Sequence, residues 1–286
     1  MAKILLLGCG GLGRRLAARL IAAKHSVIGV KRSPLNEPLA GLQLVLADIN
    51  CAHDVAQIPT AVDLVLFVLS PGERNKEAYQ DLYQGGIANV LAHFSQATGR
   101  GPGPRCLMVS STSVYGQNAG QWVDETSPAL ATSFNGEALI GAEQQLWAYS
   151  DTSTVVRFSG IYGPGRESLL RRVRESKPLQ YDPPSYSNRI HEEDCLGILG
   201  FLIDRAVRGL PLEKLYLASD SAPVPLAEVA TWLSEKMACS PPPEKTSTAL
   251  TGAMNKRCRN DRLLNLGYVL RYPTYRQGYG ELLQEL

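Results

Sequence analysis

The chain has 286 residues, 44% apolar and 20% charged, with 29 basic against 27 acidic side chains and a net charge of +2. That length buries a sizeable core, as one large domain or two small ones, and the near-neutral balance gives no footprint of a nucleic-acid or membrane-surface binder. The six cysteines (Cys9, Cys51, Cys106, Cys195, Cys239 and Cys258) form no CxxC pair and have no histidine at metal-ligand spacing, so the expectation is no metal and the reduced thiols of a cytoplasmic protein.

The apolar run after Lys3 is only about four residues and ends in glycine, too short for a signal peptide. Lys3–Leu7 suits a strand buried on both faces of a parallel sheet. Leu12, Leu16, Ala17, Leu20 and Ile21 then recur at helical spacing, with Arg14, Arg15 and Arg19 on the other side. Ser26–Val30 and Leu42–Ala47 read as the next strands, and the β-branched-rich Val62–Leu69 as a central one. Tyr79, Leu82, Tyr83, Ile87, Val90, Leu91 and Phe94 predict a long amphipathic helix, broken by Gly99–Pro104. Cys106–Val109, a helix near Gly136–Tyr149 and a strand at Thr154–Phe158 complete six strands with crossovers, an α/β pattern that predicts a doubly wound parallel sheet. Beyond Gly160 prolines punctuate shorter elements, with helices clearest at Glu192–Arg205 and Leu226–Met237. No stretch approaches the length of a membrane span.

Gly8-Cys9-Gly10-Gly11-Leu12-Gly13 satisfies GxGxxG directly after the first strand and at the opening of the first helix, the context that gives this pattern meaning. Gly8 permits the tight turn, Gly10 or Gly11 lets a pyrophosphate approach the backbone, and Gly13 lets helix and strand pack closely. The helix N-terminus offers unpaired N–H groups to phosphate. The reading is a Rossmann-type NAD(P)-binding domain over residues 1–160, with a small substrate-side region over 161–286. A carboxylate about 20 residues past the glycines normally holds the ribose hydroxyls of NAD. Here the strand ends in Lys31 and Arg32, which favours NADP through a clamp on its 2′-phosphate. Asp48 and Ile49 are expected at the adenine, and Leu69 and Ser70 at the ribose and pyrophosphate.

Ser110-Ser111-Thr112-Ser113-Val114-Tyr115-Gly116, Arg157-Phe158-Ser159-Gly160-Ile161-Tyr162-Gly163-Pro164-Gly165-Arg166 and Asn188-Arg189-Ile190-His191-Glu192-Glu193-Asp194 follow in order. With the glycine loop, these segments make the chain resemble the extended short-chain dehydrogenase/reductases of the NAD-dependent epimerase/dehydratase group over nearly its whole length. The resemblance places Ser110 beside the cofactor and Ser111 on a substrate hydroxyl or carbonyl. It also implies a homodimer paired through the helices carrying Tyr79–Phe94 and Ala138–Tyr149.

Two departures stand out. The dehydratase Asp-Glu pair is replaced by Thr112 and Ser113, and none of the twelve tyrosines is a proton-transferring Tyr-x-x-x-Lys, because none has lysine four residues later. If Glu143 holds the family's helix glutamate, Asn135 and Leu139 stand in place of that pair. Tyr115, His191, Glu137 and Tyr186 are the remaining titratable candidates; Tyr115 could equally pack behind its strand, and His191 could cap the helix beginning at Glu192. The expected function is an NAD(P)-dependent oxidoreductase or epimerase acting on a sugar-like or small carbonyl or polyol substrate. The alternative is a non-catalytic NADP(H)-binding sensor.

Overall fold

A computed structural model describes residues 1–99, 103–245 and 255–285. The chain begins β1 (Lys3–Leu7), α1 (Gly11–Ala22), β2 (Ser26–Lys31), β3 (Leu42–Leu46), α2 (Ala52–Val55), β4 (Leu64–Phe67) and α3 (Lys76–Gln80). A π-helical stretch, Asp81–Gly86, leads into α4 (Ile87–Thr98), followed by β5 (Arg105–Ser111), β6 (Gln121–Val123), α5 (Phe134–Tyr149) and β7 (Thr154–Phe158). Then come β8 (Gly160–Tyr162), α6 (Ser168–Arg174), β9 (Tyr186–Ser187), β10 (Arg189–His191), α7 (Glu192–Val207) and β11 (Leu215–Ala218). The chain closes with β12 (Val224–Pro225), α8 (Leu226–Lys236), β13 (Lys256–Cys258), α9 (Asp261–Asn265) and α10 (Tyr275–Glu285).

These elements fall into two compact units, each gathered from separated stretches, whereas the sequence reading draws one cut after residue 160. The first comprises Met1–Ser111, Phe134–Arg157 and Leu196–Tyr216; the second comprises Thr112–Ser133, Phe158–Cys195 and Leu217–Leu286.

The first unit is built on a parallel seven-stranded sheet in the order β11-β7-β5-β4-β1-β2-β3. Ile4, Leu5, Leu6 and Leu7 of β1 are fully buried, as a central strand covered on both faces requires. The chain runs outward from β1 through β2 and β3, then returns to place β4 on the other side of β1. That reversal opens a crevice at the carboxyl ends of β1 and β4, where sheets of this kind bind ligands. The six expected strands are present, with β3 ending at Leu46 and β4 trimmed to Leu64–Phe67. The seventh, β11, is absent from the sequence reading. The expected long helix at Tyr79–Phe94 is three successive windings, and its stripe of Tyr83, Ile87, Val90, Leu91 and Phe94 is buried within the single chain. The helix stops at Thr98, before Gly99 at φ +60°; the remainder of the Gly99–Pro104 breaker lies partly outside the described residues.

The second unit carries two-stranded ladders, β8 with β10 and β6 with β13 in parallel and β9 with β12 antiparallel. Its apolar cluster gathers Tyr162, Leu170, Val173, Leu233, Tyr275 and Tyr279. All six cysteines are free. Among the described residues no helix is long and apolar enough to cross a membrane, and no group of His, Cys, Asp and Glu could hold a metal ion.

Candidate functional site

The turn between β1 and α1 is shaped by two glycines that admit no side chain. Gly8 sits at φ +98°, and a Cβ there would lie 2.2 Å from the Val68 carbonyl oxygen; one on Gly13 would lie 1.9 Å from the Gly8 carbonyl oxygen. Gly10 and Gly11 face open space, with nothing within 4 Å of a Cβ built on either. Gly10 caps α1 without a side-chain bond, and the first turn of α1 contains no acid. Its leading N–H groups and positive dipole end are therefore left to an anion. A dinucleotide diphosphate fits this cradle.

A cleft of about 580 Å³ opens at the bend. Gly8, Cys9 and Gly10 line it from the turn, Lys31 and Arg32 from the end of β2, Asp48 and Ile49 from beyond β3, and Leu69 and Ser70 from beyond β4. Gly11, Leu12 and Gly13 form the first turn of α1. Asn50, Gly72, Glu73, Ala78 and Asp81 also line the cleft and carry no expectation from the sequence, and Leu82, expected only as part of a helix stripe, lines it too. The 78, 81, 82 spacing was the available signal, since those positions share one helical face.

Lys31 Nζ donates to Ser33 Oγ at 3.2 Å and to the Pro34 carbonyl at 3.3 Å, so this cation is tethered at the strand end. Arg32 is exposed and lays its Nη2 3.2 Å from where a Gly72 Cβ would stand. The loop after β3 is fixed by its own polar groups: Asp54 Oδ2 accepts the Asp48 N–H at 2.9 Å, and Asp48 Oδ1 accepts the Asn50 N–H at 3.0 Å. Gly86 lets this loop approach the π-helical stretch, since its Cβ would meet Asn50 Oδ1 at 2.7 Å and Ile49 Cγ1 at 2.8 Å. Tyr83 donates its hydroxyl to the Leu69 carbonyl at 3.0 Å and pins the end of β4. Burial pushes the Cys9 thiol up to about 11, outweighing the opposing Lys31 charge, so Cys9 is a neutral packing group rather than a nucleophile.

One strand over, β5 ends at Ser111, half-buried at the same carboxyl edge of the sheet. Ser110 is buried, and its hydroxyl donates to Glu143 Oε1 of α5 at 2.6 Å; it is not among the residues lining the cleft. Leu139, which stands at the lysine position of Tyr-x-x-x-Lys if Glu143 holds the family's helix glutamate, is buried on the same helix.

Tyr115 and His191 belong to the second unit. Tyr115 is fully buried and donates its hydroxyl to the Asp124 carbonyl at 2.7 Å, while the buried Lys256 ammonium donates to the Tyr115 carbonyl at 3.0 Å. His191 Nδ1 accepts the Glu193 N–H at 3.2 Å, which makes it the N-cap of α7. Its ring packs against Tyr272 at 4.1 Å and edge-on to Tyr162 at 5.1 Å. Burial holds the imidazole below the ordinary histidine value, against the pull of Asp194, Glu192 and Glu193. Both side chains are engaged in holding their own unit together.

A doubly wound sheet with a bare glycine bend opening its first helix defines a dinucleotide-binding protein. The sequence profile of the NAD-dependent epimerase/dehydratase family matches residues 4–180, more than half of the chain, and the chain belongs to that family. A structure provisionally assigned as an NAD-dependent epimerase/dehydratase, from Methylobacillus flagellatus, is 35% identical with a TM-score of 0.82, covering 99% of this chain and 98% of its own. A conserved protein of unknown function from Silicibacter pomeroyi is 26% identical with a TM-score of 0.77, covering 100% and 99%. The UDP-glucuronic acid 4-epimerase of Bacillus cereus, solved with NAD, shares the fold at 15% identity, with a TM-score of 0.75 and coverage of 99% of each chain. No curated protein sequence matches the chain.

Proposed function

We propose that the cleft of the first unit binds NADP(H) and that the chain is an oxidoreductase or epimerase for a sugar-like substrate. The observation carrying this reading is the end of β2, where Lys31 and Arg32 line the cleft and the segment Gly29–Ser33 contains no acid. Two cations there favour a 2′-phosphate, which a carboxylate would repel. The sugar-like substrate is suggested by the fold relative from Bacillus cereus, a UDP-glucuronic acid 4-epimerase.

In this reading the Ser111 hydroxyl hydrogen-bonds the substrate oxygen, and the Ser110–Glu143 bond holds the strand end that presents it. A cofactor bound in the cleft would supply hydride transfer. Tyr115 is not the proton carrier in this reading, because its hydroxyl is spent on Asp124. Calorimetry with NADP(H) and NAD(H) tests the cofactor: NADP(H) is expected to bind at least about tenfold more tightly, one charge-assisted contact's worth. No association with either at millimolar concentration overturns the proposal.

A second reading, a non-catalytic NADP(H) sensor, is favoured by one specific set of observations. Leu139 can carry no proton, and the hydroxyl of Tyr115 and the Nδ1 of His191 are engaged internally. A panel of sugars and aldehydes separates the two: turnover abolished by Ser111→Ala supports the enzyme, and tight binding without turnover supports the sensor.

A further inference from the structure

Three polar side-chain atoms inside the second unit have no hydrogen-bond partner among the described residues: Tyr162 Oη, Arg189 Nη1 and Asp220 Oδ2. The residues are 4%, 4% and 0% exposed, so bulk solvent does not serve them. Leaving a buried donor or acceptor unpaired is costly, and a folded chain rarely does so.

The fold brings the three residues together. Arg189 and Tyr162 face the same side of the parallel β8–β10 ladder, where Arg189 pairs with Gly160 and His191 with Tyr162. Gly160 has no side chain, so the ladder partner of Arg189 does not fill the space in front of it. The Asp220 N–H donates to the Arg189 carbonyl at 2.7 Å, which sets the carboxyl beside the same strand. Burial pushes the Tyr162 hydroxyl up, Asp220 adds to that rise and Arg189 opposes it, so both charges are felt at the one hydroxyl. From α10, Tyr279 stacks on Tyr162 at 4.3 Å, and the Arg189 guanidinium lies 5.4 Å over Tyr275. A Cβ on Gly278 would stand 1.9 Å from Tyr162 Oη, so the hydroxyl abuts the helix backbone.

Arg189 and Asp220 are held by their other atoms, Arg189 Nη2 donating to Ser187 Oγ and Asp220 Oδ1 accepting the Ala222 N–H at 3.2 Å. Nη1 and Oδ2 are not bonded to each other, so whatever joins them lies between. A cation is repelled by Arg189. An anion only accepts, and leaves an ionised Asp220 unserved. Water does both: it accepts from Arg189, meets the Tyr162 hydroxyl in either sense, and donates to Asp220 as carboxylate or accepts from it as acid. About three bonds are usual for a buried water.

We propose that Tyr162, Arg189 and Asp220 form a binding site for one internal water molecule, which joins β8 and β10 to the loop after β11. The site lies wholly on the second unit and is independent of the cofactor reading.

A crystal structure of the full chain, at a resolution that shows ordered solvent, and urea unfolding of Y162F test this. Density for a water within about 3.2 Å of all three atoms is expected. Y162F is expected to lower the urea midpoint, because the water loses a partner; a hydroxyl with no partner at all would make the phenylalanine chain the more stable one. A site without density, or a midpoint unchanged or raised in Y162F, overturns the proposal. Bromide occupying the position in halide-soaked crystals overturns the assignment to water in favour of an anion.

Discussion

Glu143 and Arg157 form a two-point ion pair inside the first unit, with Arg157 Nε 2.9 Å from Glu143 Oε1 and Nη2 2.5 Å from Oε2. Both are almost wholly buried, at 1% and 3% exposure, and the Ser110 hydroxyl makes a third bond to the same carboxylate. The pair ties α5 to β7 and, through Ser110, to the end of β5. Removing one partner strands a buried charge, which costs far more than the pair itself contributes. Glu143→Gln should lower stability to urea by about 3–5 kcal/mol, and Ser110→Ala by about 1 kcal/mol. A Glu143→Gln chain as stable as the parent would show that the carboxylate does not carry this junction.

The glycines of the bend should separate folding from binding. Gly13→Ala drives a methyl into the Gly8 carbonyl and is expected to unfold the bend, lowering Tm and abolishing cofactor binding together. Gly10→Ala meets nothing within 4 Å, so Tm should hold while a methyl obstructs the diphosphate and weakens NADP(H) binding by tenfold or more. Thermal melts and calorimetry on the two variants check this; full affinity in Gly10→Ala would place the diphosphate elsewhere.

How much of this was legible in the sequence follows from range. The glycine bend, β1 and the cleft residues after β2, β3 and β4 are local features: a turn, a buried run, a strand end. β11 escaped because Leu215-Tyr216-Leu217-Ala218 is a short apolar run with no helical or alternating period to set it apart. The π-helical stretch escaped because Tyr79–Phe94 keeps an apolar stripe whichever way it winds. The engagement of Tyr115 is a tertiary fact, set by the Asp124 carbonyl, and that of His191 could be foreseen only as one of two roles. The exchange of segments between the units, such as Thr112–Ser133 leaving the first before Phe134 re-enters it, has no compositional mark.

Arg32 rather than Lys31 should set cofactor choice, since Lys31 is tethered to Ser33 and Pro34 while Arg32 is exposed at the cleft. Arg32→Glu replaces the proposed phosphate clamp with a group that repels phosphate and can hold ribose hydroxyls. The ratio of NADP(H) to NAD(H) affinity is expected to fall by at least about a hundredfold, two charge-assisted contacts' worth. Titration of both cofactors against parent and variant reads this directly, and an unchanged ratio would remove Arg32 from the specificity argument.

Asp220 should make stability depend on pH around neutrality. Its carboxyl is fully buried, Oδ1 accepts the Ala222 N–H at 3.2 Å, and burial pushes its pKa up to about 7 despite Arg189, with Asp194 adding to the rise. An unfolded aspartate releases its proton near pH ~4, so the folded chain holds this proton more tightly. The resulting stability is complete below about pH 4 and is lost as pH rises through about 7. Asp220→Asn keeps the acceptor and removes the charge. Urea unfolding should find it more stable than the parent by a few kcal/mol above neutrality, with the gap closing toward acid; parallel curves would refute a titrating Asp220.

The wide turn at Asp81–Gly86 sets the winding phase of everything before it. Ala78, Asp81 and Leu82 face the cleft, and Tyr83 reaches Leu69, only because one extra residue is accommodated there. Deleting the exposed Gln84 would restore ordinary α-helical winding and swing the upstream turns by about 100°, while Ile87, Val90 and Phe94 kept their seats in the core. One wall of the cleft is thus geared to a single residue of helix length, and cofactor affinity should vanish in such a deletion well before the sheet comes apart.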